Sequence, residues 1–263
     1  GYASGPILMA ATNKGIPTLI QEQNSYAGIT NKLLAKKANK ICVAYDGMER
    51  FFPKGNILLT GNPVRKDILN LDGKKTLGIS HFGLDHNLKT LLVVGGSLGA
   101  LSINQGIKKN MELFIEHGIQ LIWQTGKGFY REAKQEASDS KYKDKIKVYD
   151  FIGHMDFAYS AADLIISRAG AIAISELACV GKAVIMVPSP YVAEDHQTKN
   201  AMAMIDKDAA ILVKDNETAE KLGVTAINLF KDEVKMEQIG ANLKRLAKFE
   251  SAEVIAEEVL KLA

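Results

Sequence analysis

From Lys89 onward, short runs of aliphatic and β-branched residues alternate with amphipathic stretches of helical length, and no other feature restricts the possible folds so strongly. The runs at 90–94, 120–124, 145–149, 164–167, 183–187 and 210–213 read as strands. Helical patterns fill the intervals near 101–117, 129–138, 155–162, 171–180, 196–207 and 216–230. Strands separated by helices must be joined by crossovers, so they pair in parallel. The expected class is α/β, a doubly wound parallel sheet with its ligand loops at the C-terminal strand ends.

Upstream the same alternation is shorter. Strands are expected at 18–21, 41–45 and 56–60, with helices at 6–14 and 29–38. Three strands make only half of such a domain and leave a raw sheet edge. The chain also opens on Gly1-Tyr2-Ala3-Ser4-Gly5-Pro6 rather than Met, so an N-terminal truncation is expected. Gly, Pro and charge cluster from Gly61 to Lys75, which puts a boundary near residue 70. The expected division is 1–70, part of one domain, and 71–263, a complete second domain with terminal helices at 235–248 and 251–262. In the last helix Val254, Ile255, Val259 and Leu262 form one apolar stripe. Lys32, Lys36, Lys37 and Lys40 are expected to share a face of the helix at 29–38, either solvated or drawn to a membrane surface.

Composition excludes more than it assigns. A net charge of +3, from 33 basic and 30 acidic residues, is too mild to argue nucleic-acid binding. Leu91 to Val94 ends at two glycines, and no apolar run approaches the roughly 18 residues of a membrane span. Cys42 and Cys179 read as buried, unpaired thiols, which fits a reducing cytoplasm.

Two strand–helix junctions carry the chemistry. Gly95-Gly96-Ser97-Leu98-Gly99-Ala100 follows the first strand of the second domain, where glycines let amides approach a phosphate and Ser97 adds a hydroxyl. The spacing is not G-x-G-x-x-G, and the next strand ends at Gln124 rather than an acid, so NAD is disfavoured. At the second junction Gly170 precedes a helix starting at Ala171, Ile172 and Ala173, with its positive end aimed above the sheet. Glu176 follows, where a carboxylate either accepts two hydrogen bonds from a ribose diol or is a solvated residue stabilised by the helix's positive end. Arg168 either contacts phosphate or pairs with an acid. Asp195-His196-Gln197 opens another helix. There Asp195 is the expected N-cap, His196 a general base or a polar contact, and Gln197 and Asn200 readers of sugar hydroxyls. Glu22-Gln23-Asn24-Ser25 ends a strand of the first domain and either touches an acceptor or caps the next helix. Asp206-Lys207-Asp208 spells D-x-D, but turn chemistry accounts for it, so neither metal nor cofactor is expected.

These motifs, with Gly61-Asn62-Pro63-Val64-Arg65, occur in an order that resembles the MurG-type N-acetylglucosaminyltransferases across essentially the whole chain. The resemblance implies a two-domain GT-B fold with the first Rossmann-like domain present in part. It implies transfer of GlcNAc from UDP-GlcNAc to undecaprenyl-linked lipid I, by a peripheral enzyme at the cytoplasmic face of the membrane. In that frame Ser97 and the amides of Ala171, Ile172 and Ala173 hold the diphosphate, Glu176 the ribose, and the Ile152 backbone the uracil. Arg65 closes the nucleotide site, and Gln197 and Asn24 contact GlcNAc. Asn104, Tyr2, Arg168 and Asn200 are further cleft candidates. Ala173 stands where the family often carries Thr, so backbone amides must suffice there. The family's Gly-rich loop with its His, the proposed base, has no match, so no catalytic residue is assigned and the chain alone is expected to be inactive. The alternatives are a UDP-GlcNAc 2-epimerase-like enzyme and a non-catalytic nucleotide-sugar-binding fragment.

Overall fold

The computed structural model describes residues 3–262, so the Tyr2 candidate lies outside it. Helix α1 (Ser4–Asn13) leads to β1 (Leu19–Glu22), α2 (Ile29–Leu34), β2 (Lys40–Val43) and β3 (Ile57–Leu59). These strands form a parallel sheet in the order β1-β2-β3. Two short helices, α3 (Lys66–Leu69) and α4 (Lys75–His81), carry the chain to β4 (Lys89–Val94). There follow α5 (Leu101–Glu116), β5 (Ile119–Gln124), α6 (Lys127–Asp139), β6 (Ile146–Tyr149), α7 (Met155–Ala161) and β7 (Leu164–Ser167). Next come α8 (Ala171–Val180), β8 (Ala183–Met186), α9 (His196–Ile205), β9 (Ile211–Leu212), α10 (Thr218–Lys231), α11 (Glu233–Arg245) and α12 (Ser251–Leu260).

The second sheet is parallel throughout, in the order β6-β5-β4-β7-β8-β9. Strand order reverses between β4 and β7, which leaves a crevice above their C-terminal ends. Period-two alternation explains both of its faces. Leu91, Val93, Leu121, Trp123, Ile166 and Ile185 point into one core with α5, α6 and α10. Leu92, Ile122, Ile165, Val184 and Met186 point into the other, against α4, α7, α8 and α9. A third, smaller core under the first sheet gathers Ile20, Ile41, Val43, Met48 and Phe52.

Three expectations need correction. The helix expected at 29–38 stops at Leu34, and a turn follows. Lys36 and Lys37 therefore lie beyond it and Lys40 opens β2, so the four lysines share no helix face. The stripe on α12 is buried only in part: Val254, Ile255 and Leu262 are half-buried, but Val259 is 47% exposed, and the most buried position in the middle of that face is Glu258, 7% exposed. Glu258 is held at 3.2 Å by Lys40 of β2 and at 2.6 Å by Lys261, so an ion pair joins the half-buried apolar residues in tying α12 to the first sheet. Its carboxyl is held below the usual range by Lys261 and Lys40. The chain thus returns to the first sheet after α11. Beside this return Gly61, at φ +80°, lies so close to Lys248 that a Cβ on it would sit 2.5 Å from the lysine Cβ. Cys42 and Cys179 are buried and free, as expected.

Candidate functional site

In the register of the second sheet Val94 pairs with Ser167, so the turns that follow β4 and β7 open side by side. After β4, Gly99 adopts φ +80° with its Cα so near the next loop that a Cβ would lie 1.9 Å from the Thr125 carbonyl oxygen. Only glycine fits there, and it presses the turn onto Thr125 and Gly126. Ser97 stands exposed at the apex of that turn. Beside it α8 starts at Ala171 after the extended Gly170, without a side-chain cap. Its first N–H groups and dipole therefore face the crevice unspent. Ala171 is buried at this junction and Ile172 is 41% exposed.

Gln124, at the end of β5, joins two sides of the crevice. Its Nε2 donates to the Gly96 carbonyl at 3.1 Å, and its Oε1 accepts the Ile152 N–H at 2.8 Å. One buried amide thus fixes the Gly-rich turn to the loop after β6. The Ile152 N–H is spent in doing so.

Glu176, one turn into α8, is 8% exposed. Arg65 donates to it through Nε at 3.0 Å and Nη2 at 3.4 Å, and the Tyr159 hydroxyl donates at 3.2 Å. Burial opposes the charge on Arg65, but Glu176 more than offsets it and holds the guanidinium above its ordinary value. Burial, then the charge of Glu176, pushes the Tyr159 hydroxyl up, so it stays a donor.

Opposite the crevice, the loop after β1 is built on the buried Glu22 carboxylate, which accepts from Asn24 N at 3.0 Å, Gly28 N at 3.0 Å and Asn31 Nδ2 at 2.8 Å. Gly28 is the N-cap of α2, so Glu22 does the capping that the Glu22–Ser25 motif suggested. Two asparagines then fasten this loop across to the second sheet. Asn200 of α9 accepts the Ser25 N–H at 2.9 Å and donates to Asn24 Oδ1 at 3.1 Å. Asn62 donates to the Gln23 carbonyl at 3.1 Å and to Ser175 Oγ at 3.0 Å.

Several expected ligands are spent inside the protein. Asn200 is 1% exposed with its amide engaged, so it braces the cleft rather than presenting itself to a sugar. Asn104 is 2% exposed; it accepts from Trp123 Nε1 at 3.0 Å and donates to the Thr125 carbonyl at 2.9 Å, beneath the Gly-rich turn. Of the two readings of Arg168, pairing with an acid is the one found: it binds Asp215, the Val187 carbonyl and Ser102 Oγ. Gln197 keeps a free Nε2 among its described contacts, while its Oε1 accepts the Ser189 N–H at 2.9 Å. Asp195 precedes α9 but makes no side-chain cap, because it and Glu194 take left-handed backbone at φ 51° and 53°. His196 lies 3.7 Å from Glu194, and its Nδ1 is buried without a partner. Asp208 also has positive φ, at 50°, as turn chemistry in the D-x-D run requires. Among the described residues no cluster of three or more His, Cys, Asp or Glu could hold a metal ion.

Sequence reading passed over Gln124, Tyr159 and Asn62. Gln124 carried a signal, a polar residue closing a buried strand beside two glycine turns. Tyr159 carried none, since nothing local links it to Glu176.

Known proteins resemble this chain in sequence and fold. The glycosyltransferase family 28 C-terminal domain matches residues 90–259, and the family 28 N-terminal domain matches residues 1–43. The chain belongs to glycosyltransferase family 28. Within the family it is 51% identical over 262 residues to a protein of Parabacteroides distasonis, covering 100% of this chain and 71% of that one. It is 54% identical to a protein of Phocaeicola vulgatus, covering 100% and 70%. Both are UDP-N-acetylglucosamine–N-acetylmuramyl-(pentapeptide) pyrophosphoryl-undecaprenol N-acetylglucosamine transferases. Acinetobacter baumannii MurG superposes with a TM-score of 0.78 at 28% identity, covering 99% of this chain and 71% of that one. Staphylococcus aureus MnaA, solved with UDP, shares the fold at a TM-score of 0.68 and 16% identity, covering 97% and 73%. The family 28 chain has the expected GT-B architecture, two parallel-sheet lobes facing across a cleft, here with three strands in the first.

Proposed function

We propose that this family 28 chain carries the donor site of an inverting GlcNAc transferase. It moves the sugar from UDP-GlcNAc to the 4-hydroxyl of the muramyl unit of lipid I, a step of peptidoglycan synthesis. One observation carries the reading: an exposed serine on a glycine turn and an uncapped helix start open together at the switch point of the sheet. That geometry suits a diphosphate. Ser97 and the amides of Ala171, Ile172 and Ala173 hold it, and meet the charge that grows on it as the bond to C1 breaks. Glu176 takes the ribose diol once Arg65 swings from it, and Arg65 then covers the nucleotide. The Ile152 loop receives uracil through its carbonyl, since its N–H is spent. Gln197 offers its Nε2 to the sugar, and Asn24 reaches it only on release from Asn200 and Glu22, which engage both ends of its amide. The acceptor hydroxyl attacks C1 from the side opposite the leaving UDP, and its proton passes to a base.

In this reading residues 1–70 belong to the acceptor lobe and 71–263 to the donor lobe, with α12 crossing back. The enzyme rests on the cytoplasmic face of the membrane as a peripheral protein. Among the described residues no helix is long and apolar enough to cross a membrane. Ile29 and Leu33, 64% and 57% exposed beside Lys32, Lys36 and Lys37, give that lobe an apolar and basic face. Calorimetry with UDP-GlcNAc, UDP and NAD tests the donor site, with binding expected for the first two. Preference for NAD, or epimerisation of free UDP-GlcNAc in place of transfer to lipid I, overturns the reading.

A further inference from the structure

Next to the sugar contacts is a pocket of about 640 Å³ that the donor does not use. It lies between the loops after β1 and β2 and the outer side of α9, lined by Ser25, Tyr26, Arg50, Phe51, Lys199 and Met202 among others. Its volume is in the range of small-molecule sites, roughly 300–1,000 Å³. Its chemistry is aromatic and cationic. Tyr26 packs edge-on against Phe51 with centroids 4.8 Å apart. Lys199 Nζ stands 3.5 Å from the Tyr26 ring centre, Lys32 Nζ stands 4.2 Å from it, and the Arg50 guanidinium is 4.8 Å from that of Phe51.

Among the described residues none of Lys32, Arg50 and Lys199 makes an ion pair. Lys199 donates to the Glu194 carbonyl at 2.7 Å and Arg50 to the Ser25 carbonyl at 2.9 Å, contacts that aim each cation yet leave donors free. On the far rim are the acids Asp46 and Asp206, and Asp46 is already paired with Lys207 at 3.4 Å. The rings hold the cations in place without neutralising them. Such a site suits a ligand with carboxylates and flat amide planes.

We infer that this pocket receives the peptide of the acceptor. The inference rests on the transferase reading above. In a muramyl sugar the peptide hangs from a lactyl ether at O3, the neighbour of the O4 that attacks. It must therefore leave the ring beside the reacting centre, while the lipid diphosphate leaves from C1. The pocket begins at that place: Ser25 follows Asn24, and Thr198 follows Gln197, so its walls continue the sugar contacts by one residue on each side. Both lobes contribute walls, so peptide binding favours the closed cleft in which transfer occurs. A free pentapeptide ends in a carboxylate, which Arg50 and Lys199 attract.

The test is binding of N-acetylmuramyl-pentapeptide and of N-acetylmuramic acid to the protein, with UDP-GlcNAc titrated separately. The pentapeptide compound is expected to bind the tighter of the two. Arg50→Glu and Lys199→Glu are each expected to weaken it about tenfold, with UDP-GlcNAc and the peptide-free sugar unaffected. Met202→Trp, which fills the pocket while keeping its apolar character, gives the same loss without a charge change; an unchanged melting temperature shows that each variant is folded. Equal affinity of wild type for the two muramyl compounds, including no detectable binding of either, overturns the inference. So do variants that bind the pentapeptide compound like wild type or lose both compounds alike. Failure of the transferase reading looks different: wild type then does not bind UDP-GlcNAc.

Discussion

The side-chain amide of Asn200 donates to the Asn24 side chain at 3.1 Å while its oxygen accepts the Ser25 N–H at 2.9 Å, so one buried residue of the donor lobe holds the acceptor-side loop by two atoms. Asn200→Ala leaves the Ser25 N–H buried without a partner, at a cost of about 1–3 kcal/mol. Thermal unfolding should show that loss. Affinity for UDP should stay near wild type; a selective loss of donor affinity with unchanged stability would return Asn200 to the sugar site.

Glu176 is paired with Arg65 in this structure, and in the proposed donor site the ribose must compete for it. Glu176→Ala removes two ribose hydrogen bonds, each worth about 0.5–1.5 kcal/mol, and should raise the Kd of UDP-GlcNAc roughly tenfold. Arg65→Met should act on the same equilibrium from the other side, freeing the carboxylate but losing the cover on the nucleotide. Calorimetry on both variants and on their combination measures the coupling, and independent effects would dismiss the exchange of partners.

Gln124 ties the Gly-rich turn after β4 to the loop after β6, the proposed diphosphate and base subsites, so Gln124→Ala should loosen both together. We expect UDP to weaken by about tenfold, from the loss of two buried hydrogen bonds and of the loop order they impose. The informative comparison is with uridine and inorganic diphosphate. A loss confined to one of them shows that the amide serves that subsite alone.

Acid should loosen α12. The Glu258 carboxyl is lowered from its ordinary value of 4.5 by Lys261 and Lys40, so its stabilising contribution is complete above that pH and is lost as pH falls through the lower folded-state value. Asp156 behaves likewise below 3.8, because although burial alone would raise its carboxyl, the contact from Lys74 at 3.0 Å wins. Lys40→Met should therefore flatten the acid limb of the stability curve below pH 4.5 and destabilise wild-type-like folding at pH 7. Urea melts from pH 3 to 7 measure this.

Asn104→Ala separates two uses of a polar residue. Loss of its bond to Trp123 Nε1 leaves a buried donor unpaired and should cost about 1–3 kcal/mol. Donor affinity should change only as far as the overlying turn moves. Circular dichroism melts beside calorimetry distinguish this from a direct contact.

The reach of sequence reading can be judged residue by residue. Helix α8 was placed to the residue because Gly170 and Gly181 bracket an unbroken apolar pattern, and Gly181 has the left-handed φ of 69° that ends helices. Helix α2 was overextended because lysines are compatible with helix, turn and strand start alike. Ser97 and Glu176 were found because glycine junctions announce themselves locally. Asn104 and Asn200 were misread, and Arg168 was left open between two readings, for one physical reason. A polar side chain looks the same in sequence whether it serves a ligand or satisfies a buried partner from another element, and the partners here, Trp123, Asp215 and Ser25, lie 19, 47 and 175 residues away.

Among the described residues the backbone passes between the lobes at Gly61 and again near Lys248, and the two passages lie against each other. Once the side-chain contacts across the cleft are released, a body whose backbone crosses at one narrow seam keeps one easy rotation, like a book about its spine. Sliding and twisting of the lobes are resisted there, while the fore-edge, where acceptor and donor must meet, travels farthest for each degree turned. Any bulk added at Gly61 would thicken the spine itself, and so limit every motion of the cleft from a point that touches neither substrate.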